Sequence, residues 1–335
     1  MGMVKKELAT VIWVGVVVLV VGLGGCLGAE GKAEIGKGMR VSEIGGYLFA
    51  HMMKQDYGRL YYSLSRDGRR WALLNGGKRV HEGYRGHPDI CRGHDGRYYM
   101  TGGSKAVVLW VSEDLVRWKR FLEFAPEVYE MADFKPQEKT YGAPKIYYDE
   151  ATARYLISWH TSQNRKLREK PEHYWAGQRT LYVLSKDLKS FTGPRRLFQY
   201  DMATIDVIVR RIEGRYYAIM KDELYPSFDW TTGKSIRIAS AETLTGPWTE
   251  PSRRITANFR EAPTLIRRPD GKGWYLYCEQ YPGVQYGCLT ARTFPGPWYD
   301  LYIEDTQVPE NARHGCMISL SRKEYDAIEA AYGGK

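Results

Sequence analysis

Cysteine is scarce, five in 335 residues. None forms a CxxC pair or a Cys/His cluster at metal-ligand spacing, which argues against a zinc site. No glycine-rich loop follows a strand and opens a helix, so neither a dinucleotide nor a phosphate cradle finds support. Basic residues outnumber acidic ones, 49 to 39, but they are scattered rather than gathered in runs. That pattern describes a solvated basic surface, not a nucleic-acid groove, and leaves an acidic polysaccharide compatible as a partner. The apolar run from Val11 to Leu23 is too short and too glycine-ended for a membrane span.

That run follows Lys5 and Lys6 and ends in Leu23-Gly24-Gly25-Cys26. A basic segment, a short apolar segment and small residues before a cleavage point make a secretory signal. The last four residues resemble a bacterial lipobox, which implies that Cys26 becomes the lipidated first residue. Ordinary signal cleavage with Cys26 incidental is the other reading. Both put the mature protein outside the cytoplasm, in the periplasm or at the cell surface, and the first adds a lipid anchor in the membrane. Residues 1–26 are then the signal, 27–43 a Gly- and charge-rich flexible tether, and 44–335 the folded domain, expected to be a monomer.

What the chain does have is aromatic residues, 26 Tyr and 10 Trp among them, which suit strands and sugar-binding surfaces better than a helical bundle. The segment Phe259 to Tyr281 reads as a hairpin. An apolar run from Ala262 to Arg267 precedes the turn residues Pro269-Asp270-Gly271, and a second run follows from Trp274 to Cys278. The same shape recurs from His87, Gly142 and Thr204. After each hairpin comes a second motif: LYYSLSRDGRRW, VLWVSEDLVRW, LYVLSKDLKSF, IRIASAETLTGPW and GCLTARTFPGPW. Five irregularly spaced copies predict an all-β fold of radial blades, a five-bladed β-propeller. The first unit is one strand short, and the lone strand RHGCMISLS near the C-terminus completes it, closing the ring and removing exposed edges. Ser321 and Glu324 form a capping box for a short C-terminal helix stopped by Gly333-Gly334. Cys278 and Cys288, on neighbouring strands, either pair or stay as buried thiols.

The strand entrances carry His87-Pro88, Gly142-Ala143-Pro144-Lys145, Ile205-Asp206 and Glu261-Ala262-Pro263, in that order. This succession resembles glycoside hydrolase family 43, the five-bladed arabinofuranosidase and xylosidase group, from about Tyr47 to Leu320. The resemblance implies an exo-acting glycosidase on plant or algal oligosaccharides or polysaccharide side chains. It makes Glu261 the general acid and Asp206 the carboxylate that tunes its pKa and orients the sugar. Arg313-His314-Gly315 looks like the family's closing strand, whose histidine faces the central channel near a bound cation or water. Arg313 and His314 are therefore substrate-contact candidates, and His314 a candidate ligand, through waters, of a structural calcium. No cofactor is required for the chemistry.

The general-base position departs from the family, with His87 where an Asp is expected. Inversion needs a base across the sugar from the acid. A neutral imidazole can accept that proton, and Asp89, two residues on, is the neighbouring alternative or a substrate contact. His87 is a base, a substrate contact or a structural residue. If hydrolysis is lost, the chain is a glycan-binding propeller lipoprotein. Gly142 for the family's Trp, and Lys145 for its Glu, suggest a more basic pocket suited to a charged or sulfated sugar. In the insertion 161–179, Trp175 is either a stacking platform for a sugar or part of a packed surface pair. SRDGRRW also resembles a sialidase Asp-box turn, but only this copy has the glycine, and six blades and an arginine cluster are wanting.

Overall fold

The computed structural model describes residues 40–334, Val284 excepted. The lipobox and Cys26 lie outside the described residues, as does all but the end of the tether. Five antiparallel sheets follow one another along the chain. The first contains β1 (Ile44–Met53), β2 (Asp56–Ser65) and β3 (Ala72–Leu73); the second contains β4 (Asp89–Arg92), β5 (Tyr98–Gly102), β6 (Val107–Ser112) and β7 (Lys119–Phe124). The third contains β8 (Gly142–Asp149), β9 (Arg154–Ser162), β10 (Gln178–Ser185) and β11 (Arg195–Arg196), with the helix α1 (Pro171–Ala176) between β9 and β10. The fourth has only β12 (Thr204–Ile212), β13 (Arg215–Asp222) and β14 (Ser235–Ala241). The fifth contains β15 (Arg260–Arg267), β16 (Trp274–Gln280), β17 (Gln285–Ala291) and β18 (Tyr299–Asp300).

The closing strand β19 (Ala312–Ser321) pairs antiparallel with β1, Leu48 opposite Ile318, and becomes the innermost strand of the first sheet. The innermost strands β19, β4, β8, β12 and β15 are neighbours in that cyclic order. One apolar cluster fills each of the five gaps between consecutive sheets. On β12, Val207 and Val209 face the third sheet while Ile208 faces the fifth. A strand packed on both faces needs a continuous apolar run instead of strict alternation, which is why these segments read as they do. The five-bladed propeller is thus the observed fold.

In the fourth sheet the outer segment runs beside β14, with Thr249, Ser252 and Ile255 donating backbone hydrogen bonds to Ser240, Ile238 and Ile236. Pro247 and Pro251 offer no N–H there, and a regular fourth strand does not form. The second repeated motif is a turn built by one side chain. Asp67, Asp114 and Asp187 each accept the backbone N–H groups two and three residues on, while Ser65, Ser112 and Ser185 hydroxyls brace the carboxylates. The helix α2 (Arg322–Tyr332) starts with the expected Ser321/Glu324 capping box and buries Tyr325 and Ile328. Cys278 lies opposite Gly287 and Cys288 opposite Tyr277, so the two thiols occupy adjacent rungs and face opposite sides of the sheet; both are free.

Candidate active site

Three of the innermost strands begin with a break in register, between Gly142 and Lys145, Ile205 and Ile208, and Glu261 and Thr264. At each break a non-glycine residue adopts left-handed backbone: Ala143 at φ 41°, Asp206 at 51° and Ala262 at 49°. Such backbone costs on the order of 1–3 kcal/mol, and a bulge re-aims the side chains beside it. Pro144 and Pro263, which cannot donate to a ladder, help to place two of these breaks at strand starts.

The breaks bring side chains from separate blades together at one end of the ring. Glu261 Oε2 accepts a hydrogen bond from Lys221 Nζ at 2.7 Å, and its Oε1 one from Arg313 Nη2 at 3.2 Å. His314 Nε2 stands 3.5 Å from Glu261 Oε1 and 3.7 Å from Asp206 Oδ2. Asp206 Oδ2 also accepts the Ala262 N–H at 3.2 Å, fixing the two acidic entrances to each other. Glu279 orients the closing strand: it accepts from Arg313 Nε at 2.7 Å and from the His314 backbone N–H at 3.0 Å, and lies 2.9 Å from His314 Nδ1. Behind Glu261, Lys221 also pairs with Glu223 at 2.7 Å, and Glu223 pairs with Lys234. All of these acids, Lys221, Lys234 and His314 are buried.

His87 joins the same cluster. Its ring centre is 4.6 Å from that of His314, and its Nε2 shares a 2.8 Å hydrogen bond with the Tyr57 hydroxyl. Its buried Nδ1 has no hydrogen-bond partner among the described residues. Asp89 is turned elsewhere, its Oδ2 accepting the Ile146 N–H at 2.9 Å and tying β4 to β8. Trp175 lies on the margin, its ring 5.7 Å from Lys234 Nζ and edge-on to Tyr174. Around the buried charges runs a rim of part-exposed rings: Tyr57 over Arg313, Tyr281 over Lys221, Tyr225 over Lys234, and Trp230 over Arg237. At Gly142 a Cβ would fall 2.3 Å from His160 Nε2, so an imidazole fills the space that a side chain at position 142 would need.

Burial alone would raise the Asp206 carboxyl, but His314, His160, Lys145 and Lys221 outweigh it and hold the group well below the usual carboxylate range. Burial opposes a charge on His314 too, yet Glu261 and Glu279 pull its pKa above the ordinary value. His87 goes the other way: burial first, then His314, push it well below the imidazole range. His160 is lowered to about 4, chiefly by burial. Two sets of donors could hold a cation, His87/Asp206/His314 and Glu261/Glu279/His314, each with ligand atoms within 4.8 Å of one another. A cavity of about 140 Å³ opens at the opposite end of the inner strands, lined by Arg92, Asp149, Arg211, Arg267 and others, and none of the entrance acids reaches it.

Sequence reasoning missed Tyr57, Lys221, Glu223, Lys234 and Glu279. Lys221 and Glu279 sit at the ends of second strands, opposite Ile205 and Glu261. The visible signal was a charge closing an apolar strand, Lys221-Asp222-Glu223 after YYAIM and Glu279 after WYLYC.

A family model described as a probable glycosyl hydrolase domain matches residues 42–326. An α-L-arabinofuranosidase of Bifidobacterium longum subsp. longum is 27% identical over 190 residues, 49% of this chain and 18% of that protein. The chain therefore spans less than a fifth of that curated relative. Among solved structures, the xyloglucan PUL GH43B of Bacteroides ovatus is 16% identical with a TM-score of 0.49, over 67% of this chain and 42% of that one. An exo-1,5-α-L-arabinanase from a bovine ruminal metagenomic library is 20% identical with a TM-score of 0.48, over 69% of this chain and 77% of that one.

Proposed function

The chain belongs to the family of probable glycosyl hydrolase domains related to glycoside hydrolase family 43, and from that premise we propose that it cleaves a terminal glycosidic bond of a plant or algal saccharide. The observation that carries this reading is the meeting of Glu261, Asp206, His314 and Arg313, from three different blades, at one mouth of the ring. Glu261 is the general acid. To protonate a leaving oxygen it first takes up a proton from solvent and exchanges its Lys221 or Arg313 contact for the substrate, so both cations are also the groups that hold it in position. Asp206, kept ionised by its cationic neighbours, places a fixed negative charge where positive charge develops on the sugar.

His87 takes the base's place. Its depressed pKa keeps the imidazole neutral, the form that can accept a proton from water. The rim of tyrosines and tryptophans gives the sugar apolar faces to rest on. No step of this mechanism is routed through a calcium: that cation takes about six to eight oxygen ligands, so His314 would hold one through its waters and not by direct coordination. The protein acts from outside the cytoplasm, held by lipid on Cys26.

A glycan-binding role without turnover is the second reading. Its support is that His87 stands where a carboxylate base is expected and that Asp89 is engaged with Ile146. Incubation with aryl glycosides and a polysaccharide panel separates the two. Product release that vanishes in Glu261→Gln supports hydrolysis; binding without release in the wild type supports the second reading.

A further inference from the structure

Lys145 stands out among the mouth's charges. It is 5% exposed, in the bulged entrance of β8. It acts electrostatically on Asp206, His87 and His160, yet no carboxylate lies within ion-pair distance of it among the described residues. The other cations of the mouth have acid partners: Lys221 pairs with Glu223 and Glu261, Lys234 with Glu223, and Arg313 with Glu261 and Glu279. Asp89, the other buried acid nearby, gives its Oδ2 to the Ile146 amide and forms no ion pair with Lys145. A largely buried lysine outside any ion pair is costly, and a bound anion would supply the missing partner.

We propose that Lys145 receives the anionic group of an acidic sugar, a uronate carboxylate or a sulfate ester, bound at the axial mouth. This deepens the saccharide reading of the same site and depends on it. A lysine suits the task because its ammonium is a compact point charge with three donors on a flexible stem. The neighbouring Asp206 and Glu261 would repel an anion, but each already has its own cations. The acid group therefore meets an ammonium that no ion pair already occupies.

The test is equilibrium binding of matched sugar pairs by calorimetry. Glucuronic, galacturonic and mannuronic acids, and the 6-sulfates of glucose and galactose, are each compared with the neutral sugar. At least one acid should bind about tenfold tighter than its neutral partner, as expected for one charge-assisted contact. Lys145→Met should erase that preference and Lys145→Arg should keep it. Whether the carboxylates or the sulfates show the effect identifies the anion. Thermal unfolding of Lys145→Met should stay close to wild type, because no ion pair is broken. No preference in any pair, or a preference that survives Lys145→Met, overturns the proposal. Hydrolysis is scored separately, so Glu261-dependent release without acid preference would sink this inference alone, and acid preference without release would sink hydrolysis alone.

Discussion

Two acids of this ring do opposite things with their oxygens. Asp114, at an outer turn, takes its partners from within three residues: the Val116 and Arg117 amides, the Arg117 side chain and the Ser112 hydroxyl. Glu261 takes its hydrogen bonds from Lys221 and Arg313, 40 and 52 positions away. The first carboxylate shapes its own turn and would do so in any blade. The second has its place only because the ring closed. Asp114, satisfied locally, is structural; Glu261, satisfied across blades behind a strained entrance, is the acid we assign to the chemistry.

The comparison is tested hardest by Glu261→Gln. The amide keeps the shape but cannot donate the catalytic proton, so turnover should fall by about 10³-fold, roughly 4 kcal/mol of barrier. Thermal unfolding should fall by less than the activity does, because Lys221 and Arg313 keep Glu223 and Glu279 as partners. An unfolding shift as large as the activity loss would return Glu261 to the structural class. Lys221→Met comes next. It leaves Glu261 and Glu223 without their shared cation, and breaking a buried pair from one side costs about 3 kcal/mol. Urea unfolding measures that loss. A neutral outcome would mean that the charge network does not hold the mouth together.

The same contrast explains what could be read from the chain alone. Ser-x-Asp followed by an aromatic is a local code, so the turns, the blade count and the completing role of β19 were legible in sequence order. Glu261, Asp206, His87, Arg313 and His314 were legible because each begins or opens a strand in a repeated pattern. Lys221, Glu223 and Glu279 were not, since their meaning depends on which strand end lies across from which entrance. The fourth sheet keeps three strands although its motif repeats the others, because two prolines withhold the ladder donors.

Acid titration sharpens the comparison further. His160, beside Gly142, and His51, buried between Met52 and Ser63, are both lowered to about 4 by burial, and His87 is lowered too. A folded pKa below the unfolded one means the unfolded chain binds more protons. Stability therefore falls as pH drops from about 6.5 toward 4. His314 shifts the opposite way, so its contribution is present below 6.5 and fades as pH rises through its folded pKa. Replacing His160 with Gln should flatten the acid limb by up to one proton, about 1.4 kcal/mol per pH unit. An unchanged slope would show that His160 titrates normally in the fold.

The smallest effect belongs to the outer turn. Asp114→Ala removes the acceptor for two backbone amides that solvent can largely recover, since the carboxylate is only partly buried. The cost should be about 1 kcal/mol, as for loss of a helix cap, which in a domain of this size lowers the melting temperature by about 2–4 °C. Activity should stay at the wild-type level once the protein is assayed well below that temperature. Leu115, held at φ 63° just after Asp114, sets a second condition. If the carboxylate is what stabilises that strained residue, then Leu115→Gly, which loses the same burial in both backgrounds, should cost less stability in Asp114→Ala than in the wild type. A smaller cost would make the turn a closed local unit; an equal cost would mean that the blade packing around Leu115 fixes it, and that even the outer acids depend on the ring.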